Sequence, residues 1–203
     1  MPRPRSLTPT AIAAAALAVI DRDGLSGLTM RAVAKELHMA TMALYRYVPD
    51  RDGLEALVVE EIFQVIDMSP PPQRDWRDRA AALLTRMRDA AMAHPDAVPL
   101  VLRHRQSSVG SLAWIEAMLA VLTEGGLTGR DRVIAQRTLI GFLLGFLQNA
   151  HYASLAGTGT ADMSNLSTQD YPHLALTAAD ARKVSAADEF RGGLEIVLRG
   201  LQP

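Results

Sequence analysis

The 203-residue sequence predicts an all-α protein made of a small N-terminal domain and a larger C-terminal one. Aromatic residues make up only 5% of the chain and β-branched runs are few, whereas Ala, Leu, Met and Arg abound, which favours helices over strands. Apolar residues recur at a spacing of three to four along most segments, as on one face of a helix. Three consecutive prolines at 70–72 cannot continue a helix, so they mark the boundary between the domains.

Charge is distributed unevenly between these two parts. Residues 1–47 carry six Lys or Arg against three Asp or Glu, a net charge of +3, whereas the remainder carries 15 against 19, a net charge of −4. A basic head on an acidic body is expected when only the head meets phosphate groups. The chain has no cysteine, no apolar stretch at its N-terminus and no apolar run near the ~20 residues of a membrane span. We therefore expect a cytoplasmic protein without a membrane partner.

The first helix begins at Thr8-Pro9, with threonine as the N-cap and proline in the first helical position. Gly24 is expected to end it. Its apolar stripe consists of Ile12, Ala16, Val19 and Ile20.

Residues 29–47 predict two short helices joined by a tight turn at 38–40. Thr29 and Thr41 are the expected N-caps. The side chains that face inward are Val33, Ala34, Leu37, Leu44 and Val48. The second helix then presents an arginine, two tyrosines and small residues outward, a set that suits DNA because arginine forks onto guanine and tyrosine hydroxyls reach phosphates. We interpret the pair as a helix-turn-helix with 41–47 as the recognition helix; the alternative is a helix pair that only packs.

The rest of the chain predicts further helices. Asp50 caps a fourth helix over 50–68, which lies between the helix-turn-helix domain at 1–50 and a helical domain at 73–203. Thr128 begins a long helix to about residue 156, residues 157–165 are expected to form a flexible loop, a short helix follows Tyr171, and the last helix covers 188–201.

The long helix is apolar all round between residues 138 and 147, which indicates burial on more than one side. We expect it to pack with the last helix against the same two helices of a second copy, in a two-fold dimer; the alternative is an intramolecular core helix. The predicted interface residues are Leu139, Gly141, Phe142, Gly145, Phe146, Phe190, Leu194, Val197, Leu198 and Leu201.

No motif of a hydrolase, P-loop protein, zinc protease or dinucleotide-binding enzyme is present, so we expect neither catalysis nor a cofactor or metal. An apolar helical body with a few polar groups can instead enclose a small molecule. The candidate ligand-binding residues, which can equally be plain core, are Met87, Met92, His104, Trp114, Met118, Phe142, Phe146, Asn149, His151 and Tyr152.

The segments 24–31, 44–48 and 50–54, which read GLSGLTMR, LYRYV and DRDGL, closely resemble the tetracycline-repressor (TetR) family of bacterial transcriptional regulators. This resemblance is specific over about residues 8–66. It implies a homodimeric repressor that binds a pseudo-palindromic operator in double-stranded DNA and releases it when an unknown small-molecule effector binds. It carries DNA contacts over to Thr29, Arg31, Thr41, Met42, Ala43, Tyr45, Arg46, Tyr47 and Arg51.

Within that set we expect Arg46 and Met42 to read bases, and Thr29, Tyr45, Tyr47 and Arg51 to hold phosphates, with Arg31 able to do either. Two positions depart from the family pattern. His38 stands where glycine is usual, and must adopt a near-left-handed backbone. Ala43 replaces a hydroxyl residue, which removes one polar contact.

Two other functions are compatible with parts of this pattern. A helical enzyme or small-molecule carrier would turn over or bind ligands without specific DNA binding. An architectural DNA protein would bind any sequence, with an affinity set by salt alone.

Overall fold

A computed structural model describes residues 7–69, 71, 75–106 and 108–202. Over these ranges the chain forms α-helices with two short 3₁₀ turns and no strand, which confirms the predicted all-α class. The α-helices are α1 (Pro9–Asp23), α2 (Met30–Glu36), α3 (Thr41–Leu44), α4 (Arg51–Gln64), α5 (Trp76–Met92), α6 (Val98–His104), α7 (Val109–Glu124), α8 (Gly129–Tyr152), α9 (Thr158–Ser164), α10 (Pro172–Ala181) and α11 (Ala186–Gly200). They divide into two compact units: unit 1 comprises Met1–Gln73 with Ala82–Ala120, and unit 2 comprises Arg74–Ala81 with Val121–Pro203.

Both ends of α1 follow from local sequence. The Thr8 hydroxyl oxygen accepts a hydrogen bond from the amide of Ala11 at 3.2 Å, and Pro9 occupies the first helical position, as predicted. The helix ends at Gly24, whose φ of +73° lies in the left-handed region that glycine enters without a Cβ clash. The buried face of α1 contains Ile12, Ala13, Ala15, Ala16, Leu17, Val19 and Ile20.

The turn of the helix-turn-helix is closed by two backbone hydrogen bonds. His38 has a φ of +53°, and its amide donates to the carbonyl of Lys35 at 3.0 Å. The amide of Met39 donates to the carbonyl of Ala34 at 2.9 Å. This pair of bonds is a Schellman motif with histidine in the position that glycine usually takes. The predicted left-handed conformation of His38 is therefore confirmed.

Only one of the two threonine caps predicted for the helix-turn-helix forms. The Thr29 hydroxyl oxygen accepts from the amide of Ala32 at 3.1 Å and caps α2. The prediction for Thr41 was wrong, because α3 begins at Thr41 itself and its N-cap is Ala40, which makes no side-chain cap bond. The α-helical part of the predicted 41–47 segment ends at Leu44, and residues 45–47 continue as a turn.

The fourth helix begins as predicted and ends earlier. Asp50 caps it, since its Oδ1 accepts from the amide of Gly53 at 2.8 Å. α4 ends at Gln64 instead of residue 68; just past its end, Val65 is 72% exposed and Ile66 is buried. The buried residues of α4 are Leu54, Glu55, Val58, Val59, Ile62 and Phe63.

Glu60, an acidic residue of α4, forms hydrogen bonds with the start of α7. The Glu60 carboxylate accepts from the Ser108 hydroxyl at 2.7 Å and from the amide of Gly110 at 3.1 Å. Ser108 in turn accepts from the amide of Ser111 at 3.1 Å, so the first turn of α7 is capped by a side chain that α4 fixes.

Unit 2 has an aromatic core between α8 and α11. The Phe190 ring lies 5.3 Å from the Phe142 ring and 4.9 Å from the Phe146 ring, measured between centroids. At the C-terminal end of α11, the Arg77 guanidinium donates to the carbonyls of Leu198 at 3.1 Å and Leu201 at 2.7 Å. The Leu198 carbonyl also accepts from the amide of Leu201 at 3.3 Å, so Arg77 adds two donors at the end of α11, where intrahelical donors run out.

The loop expected over 157–165 is instead largely helical. Residues 158–164 form α9, which packs against α10 and buries Thr160. The helix predicted after Tyr171 is confirmed as α10. Among the described residues, no helix is both long enough and apolar enough to cross a membrane.

Candidate nucleic-acid interface

The segment 41–47 is anchored by one residue and projects the rest outward. Leu44 is completely buried, whereas Met42 is 76% exposed and Arg46 is exposed as well. Tyr45 and Tyr47 leave 43% and 48% of their surfaces accessible. Three large, partly apolar side chains exposed within six residues, together with an exposed arginine, form a contiguous patch that indicates a binding surface.

Small groups and hydroxyls lie beside these long side chains. Ala43 and Thr41 are half-buried, and the Thr41 hydroxyl has no capping bond to make. At the start of α2, Thr29 and Arg31 are both exposed. Thr29 accepts a backbone hydrogen bond, so its hydroxyl proton remains able to donate to an anionic oxygen such as a phosphate.

The exposed cations differ in how they are paired. Arg22 contacts Asp23 at 3.0 Å and Glu36 at 2.8 Å, which ties the end of α1 to α2, and these carboxylates raise the pKa of Arg22 above its ordinary value. Arg31 and Arg46 form no ion pair within the part of the chain that the structure describes. The positive charge that stays available at this end of unit 1 therefore belongs to Arg31, Arg46 and the exposed Lys35, which also forms no ion pair among the described residues.

Arg51 lies at the first position of α4 and is held by a buried carboxylate. Its Nε donates to Oε1 of Glu55 at 2.8 Å, and its Nη2 lies 3.5 Å from the carbonyl of Leu25. The other oxygen of Glu55, Oε2, lies 3.1 Å from Arg103 Nη1 and 3.1 Å from His104 Nε2, both at the end of α6. The four residues Arg51, Glu55, Arg103 and His104 are called the Glu55 cluster below.

Burial and ion pairing act in opposite directions on Glu55, whose residue surface is only 2% exposed. Burial raises its pKa, whereas hydrogen bonds from Arg51 and His104 and the nearby charges of Arg51 and Arg103 lower it. The net pKa lies below the ordinary 4.5 of a glutamate. Glu55 is therefore an anion that two α-helices share.

The same place is where a metal ion has the best geometric fit among the described residues. Asp52, Glu55 and His104 bring one ligand atom each within 4.8 Å of one another. Two guanidinium groups already neutralise Glu55, however, and would lie beside any added cation. The donor set thus favours a hydrogen-bonded ion-pair cluster over a metal centre.

Sequence reasoning missed Glu55 and Glu60, because an acidic residue on a helix is normally assigned to the solvent face. One signal was available. Arg51 and Glu55 are four residues apart on one helix, and the adjacent Arg103 and His104 form a basic pair that needs an anion.

The predicted ligand-binding residues are distributed over both units. In unit 1, Met87, Trp114 and Met118 are buried, Met92 is half-buried and His104 belongs to the Glu55 cluster. The Trp114 indole donates to the carbonyl of Leu83 at 3.2 Å. The candidates in unit 2 are Phe142, Phe146, Asn149, His151 and Tyr152, of which Asn149 and Tyr152 are exposed. Their ligand role stays a prediction.

Several predicted interface residues are already buried inside unit 2. Each of these side chains is at most 6% exposed in the single chain, so in this conformation it offers no area to a second copy: Leu139, Phe146, Phe190, Leu194 and Leu198. Gly141 is exposed, and the half-buried members of the predicted set are Phe142, Gly145, Val197 and Leu201.

Two family models match the chain in adjoining segments. Residues 12–63 match the bacterial regulatory proteins of the tetR family, and residues 69–203 match the tetracyclin repressor-like C-terminal domain. Among solved structures, a possible TetR family transcriptional regulator from Streptomyces coelicolor A3(2) superposes with a TM-score of 0.86 at 25% identity, covering 96% of this chain and 98% of that one.

Curated relatives agree over nearly the whole length. The HTH-type transcriptional repressor DrrR1 of Streptomyces coeruleorubidus is 30% identical over 99% of this chain and 79% of its own. The tetracycline repressor protein class D of Escherichia coli is 29% identical over 93% of this chain and 86% of its own. With the helix-turn-helix, the exposed 41–47 segment and both family segments in place, the chain belongs to the TetR family of bacterial transcriptional regulators.

Proposed function

We propose that the protein is a homodimeric repressor that binds a pseudo-palindromic operator and releases it when a small-molecule effector binds the helical body. Residues 1–50 form the DNA-binding domain in this proposal, the helix over 50–68 links it, and 73–203 form the effector and dimerisation domain. A regulator that meets chromosomal DNA in a bacterium acts in the cytoplasm. The two curated relatives described above are both named as repressors, which supports repression over activation.

The observation that carries the proposal is the exposed segment 41–47 on a buried Leu44. Arg46 and Met42 are assigned to base edges in the major groove, where arginine can fork onto guanine. Tyr45, Tyr47, Thr29 and Arg51 are assigned to phosphates, Arg31 to either, and Thr41 and Ala43 to close approach of the helix. Arg31 and Arg46, which form no ion pair among the described residues, then face the nucleic acid.

A dimer is needed because two recognition helices must lie about 34–36 Å apart to enter successive major grooves. The exposed faces of α8 and α11 support one. A Cβ added to Gly141, Gly145, Gly192 or Gly200 would meet nothing within 4 Å, so another helix can approach these backbones closely. Ile196, on α11 with two of these glycines, is 66% exposed. We therefore assign the dimer interface to the exposed face of α8 and α11. The cluster of Phe142, Phe146 and Phe190 supports this face from inside unit 2.

Effector control requires that a ligand favour one spacing of the recognition helices over another, with a coupling of about 1–3 kcal/mol. There are two separate candidate regions for the effector: the apolar interior of unit 1 around Met87, Trp114 and Met118, and the end of α8 in unit 2 around Phe146 and His151. An apolar lining with few polar groups suits an apolar, partly aromatic effector.

The test is selection of randomised duplex DNA on the purified protein, alongside Arg46→Ala. Arg130→Ala serves as a matched control, because Arg130 is also exposed but lies at the start of α8. Enrichment of a pseudo-palindrome by the wild type and the control, lost in Arg46→Ala, supports the proposal. No enrichment at moderate salt would contradict it, and binding of every sequence alike would indicate an architectural protein.

A further inference from the structure

Glu55 connects the DNA-facing end of α4 to α6 through its two carboxylate oxygens. Oε1 accepts from Arg51 on its own helix, and Oε2 accepts from Arg103 and His104 on α6. A carboxylate can only accept hydrogen bonds, so His104 Nε2 carries the proton that it donates here. Each oxygen thus serves a different helix.

The side chains of the Glu55 cluster differ strongly in their exposure to solvent. The side chains of Glu55 and His104 are 3% and 11% exposed, whereas those of Arg51 and Arg103 are 49% and 66% exposed. Glu55 is therefore fixed inside the fold, and Arg51 extends from it toward solvent. Among the described residues, no hydrogen-bond acceptor contacts Nη1 of Arg51, which leaves that nitrogen able to donate to an external anion.

Arg51 is also oriented at a second point. Its Nη2 lies 3.5 Å from the carbonyl of Leu25, in the 3₁₀ turn that leads to α2. A flexible arginine on a helix surface has several rotamers, and immobilising it before binding reduces the entropy lost on contact with a ligand. Only the bond from Nε to Glu55, at 2.8 Å, is both charge-assisted and short.

We propose that Glu55 is a positioning residue for operator binding: it holds the Arg51 guanidinium ready for a backbone phosphate, and α6 fixes Glu55 through Arg103 and His104. This inference rests on the proposed function, because it assigns Arg51 to a phosphate. It adds that an acidic residue, which itself repels DNA, is required for one of the DNA contacts. It also makes that contact depend on a helix outside the helix-turn-helix.

The measurement is the salt dependence of operator affinity. Its slope reports the number of phosphate contacts rather than the stability of the fold. The slope of log K against log salt changes by about 0.9 for each phosphate contact, so losing Arg51 in both heads of a dimer should lower its magnitude by roughly 1.8. Glu55→Met preserves the side-chain volume and removes the acceptor. We expect it to lower the slope as far as Arg51→Met does, with no further loss in the double variant.

Glu60→Gln is the matched control, since Glu60 is an acid of the same helix that bonds to Ser108 and Gly110 and not to Arg51. It should leave the slope unchanged. Glu55→Gln, which keeps one carbonyl oxygen but directs an amide at the donors of Arg103 and His104, replaces Glu55→Met if the latter does not fold. His104→Phe should lower the slope in the same direction by a smaller amount.

The outcomes separate this inference from the proposed function. If no operator is selected, or if Arg46→Ala binds it as well as the wild type, the proposed function fails. The positioning role is overturned if the operator binds specifically but Glu55→Met keeps the wild-type salt slope. It is also overturned if the double variant loses more of the slope than Arg51→Met alone. If His104→Phe keeps the wild-type salt slope, α6 does not help to fix Glu55, and that part of the proposal is overturned.

Discussion

Gly193 of α11 lies so close to Phe142 of α8 that a Cβ atom on the glycine would come 2.7 Å from the ring carbon Cε2. Such a contact is closer than real Cβ atoms tolerate, and the ring is held by its packing against Phe190. The absence of a side chain at position 193 therefore sets how closely these two helices pack.

Gly193→Ala should lower the free energy of unfolding by about 1–3 kcal/mol, because a methyl group forced into a packed contact displaces its neighbours. Gly159→Ala is the control: a Cβ there meets nothing within 4 Å, and alanine raises helix propensity by up to about 1 kcal/mol. Urea unfolding of both variants measures the difference. Equal stabilities would contradict the close α8–α11 contact.

Replacing either threonine of the helix-turn-helix by alanine should change the stability of the fold to different extents. Thr29→Ala removes a formed N-cap bond and should lower stability by about 1 kcal/mol, whereas Thr41→Ala removes none and should change it by less than about 0.5 kcal/mol. Both variants should weaken operator binding, because Thr29 is assigned to a phosphate and Thr41 to the contact between α3 and DNA. Thermal unfolding and operator titration of both variants test this division, and a larger stability loss at position 41 would contradict it.

The stability contributed by Glu55 should depend on pH with a defined sign. Its pKa in the folded protein lies below the 4.5 expected for a free glutamate, so its contribution is complete above that value and is lost as pH falls through the folded pKa. We expect Glu55→Gln to be less stable than the wild type at pH 7, by roughly 1.5–3 kcal/mol for hydrogen bonds to a charged group.

Below about pH 4.5 that difference should shrink, because the wild type loses the charge that the variant already lacks. Urea unfolding across a pH series gives both curves. A difference that stays constant from pH 7 to pH 3 would mean that the charge of Glu55 contributes nothing to stability.

A charge on the exposed face of α11 should separate the proposed dimer. Ile196→Glu adds a carboxylate to a side chain that is 66% exposed in the single chain, so the fold should persist while two copies repel. Sedimentation velocity should detect monomers, and operator affinity should fall at least tenfold, about 1.4 kcal/mol. Val65→Glu, at a site 72% exposed in unit 1, should leave the dimer intact.

The helix-turn-helix could be predicted because each of its signals acts within a few residues. The Thr8 cap, the Thr29 cap and the Gly24 stop form hydrogen bonds with backbone atoms no more than four positions away, and the left-handed His38 follows from the turn itself. The threonine at position 41 shows the limit of this reasoning, since a residue suited to capping was placed one position inside its helix.

Contacts between residues far apart along the chain could not be predicted from local sequence signals. The segment 157–165 has the glycine, threonine and asparagine content of a loop, but packing against α10 makes most of it helical. In the same way, Phe190 and Leu194 were expected to face a second copy, and α8 of the same chain buries them.

Capping and periodicity are short-range properties, so the residues alone were enough to predict a helical chain, the turn of its helix-turn-helix and the family that it resembles. The burial of Glu55 follows from the folded chain, since its charge is tolerable there only when Arg51, Arg103 and His104 surround it, and two of those donors lie 48 and 49 residues away along the chain. A buried anion depends on all of its partners at once, and no local pattern records that condition.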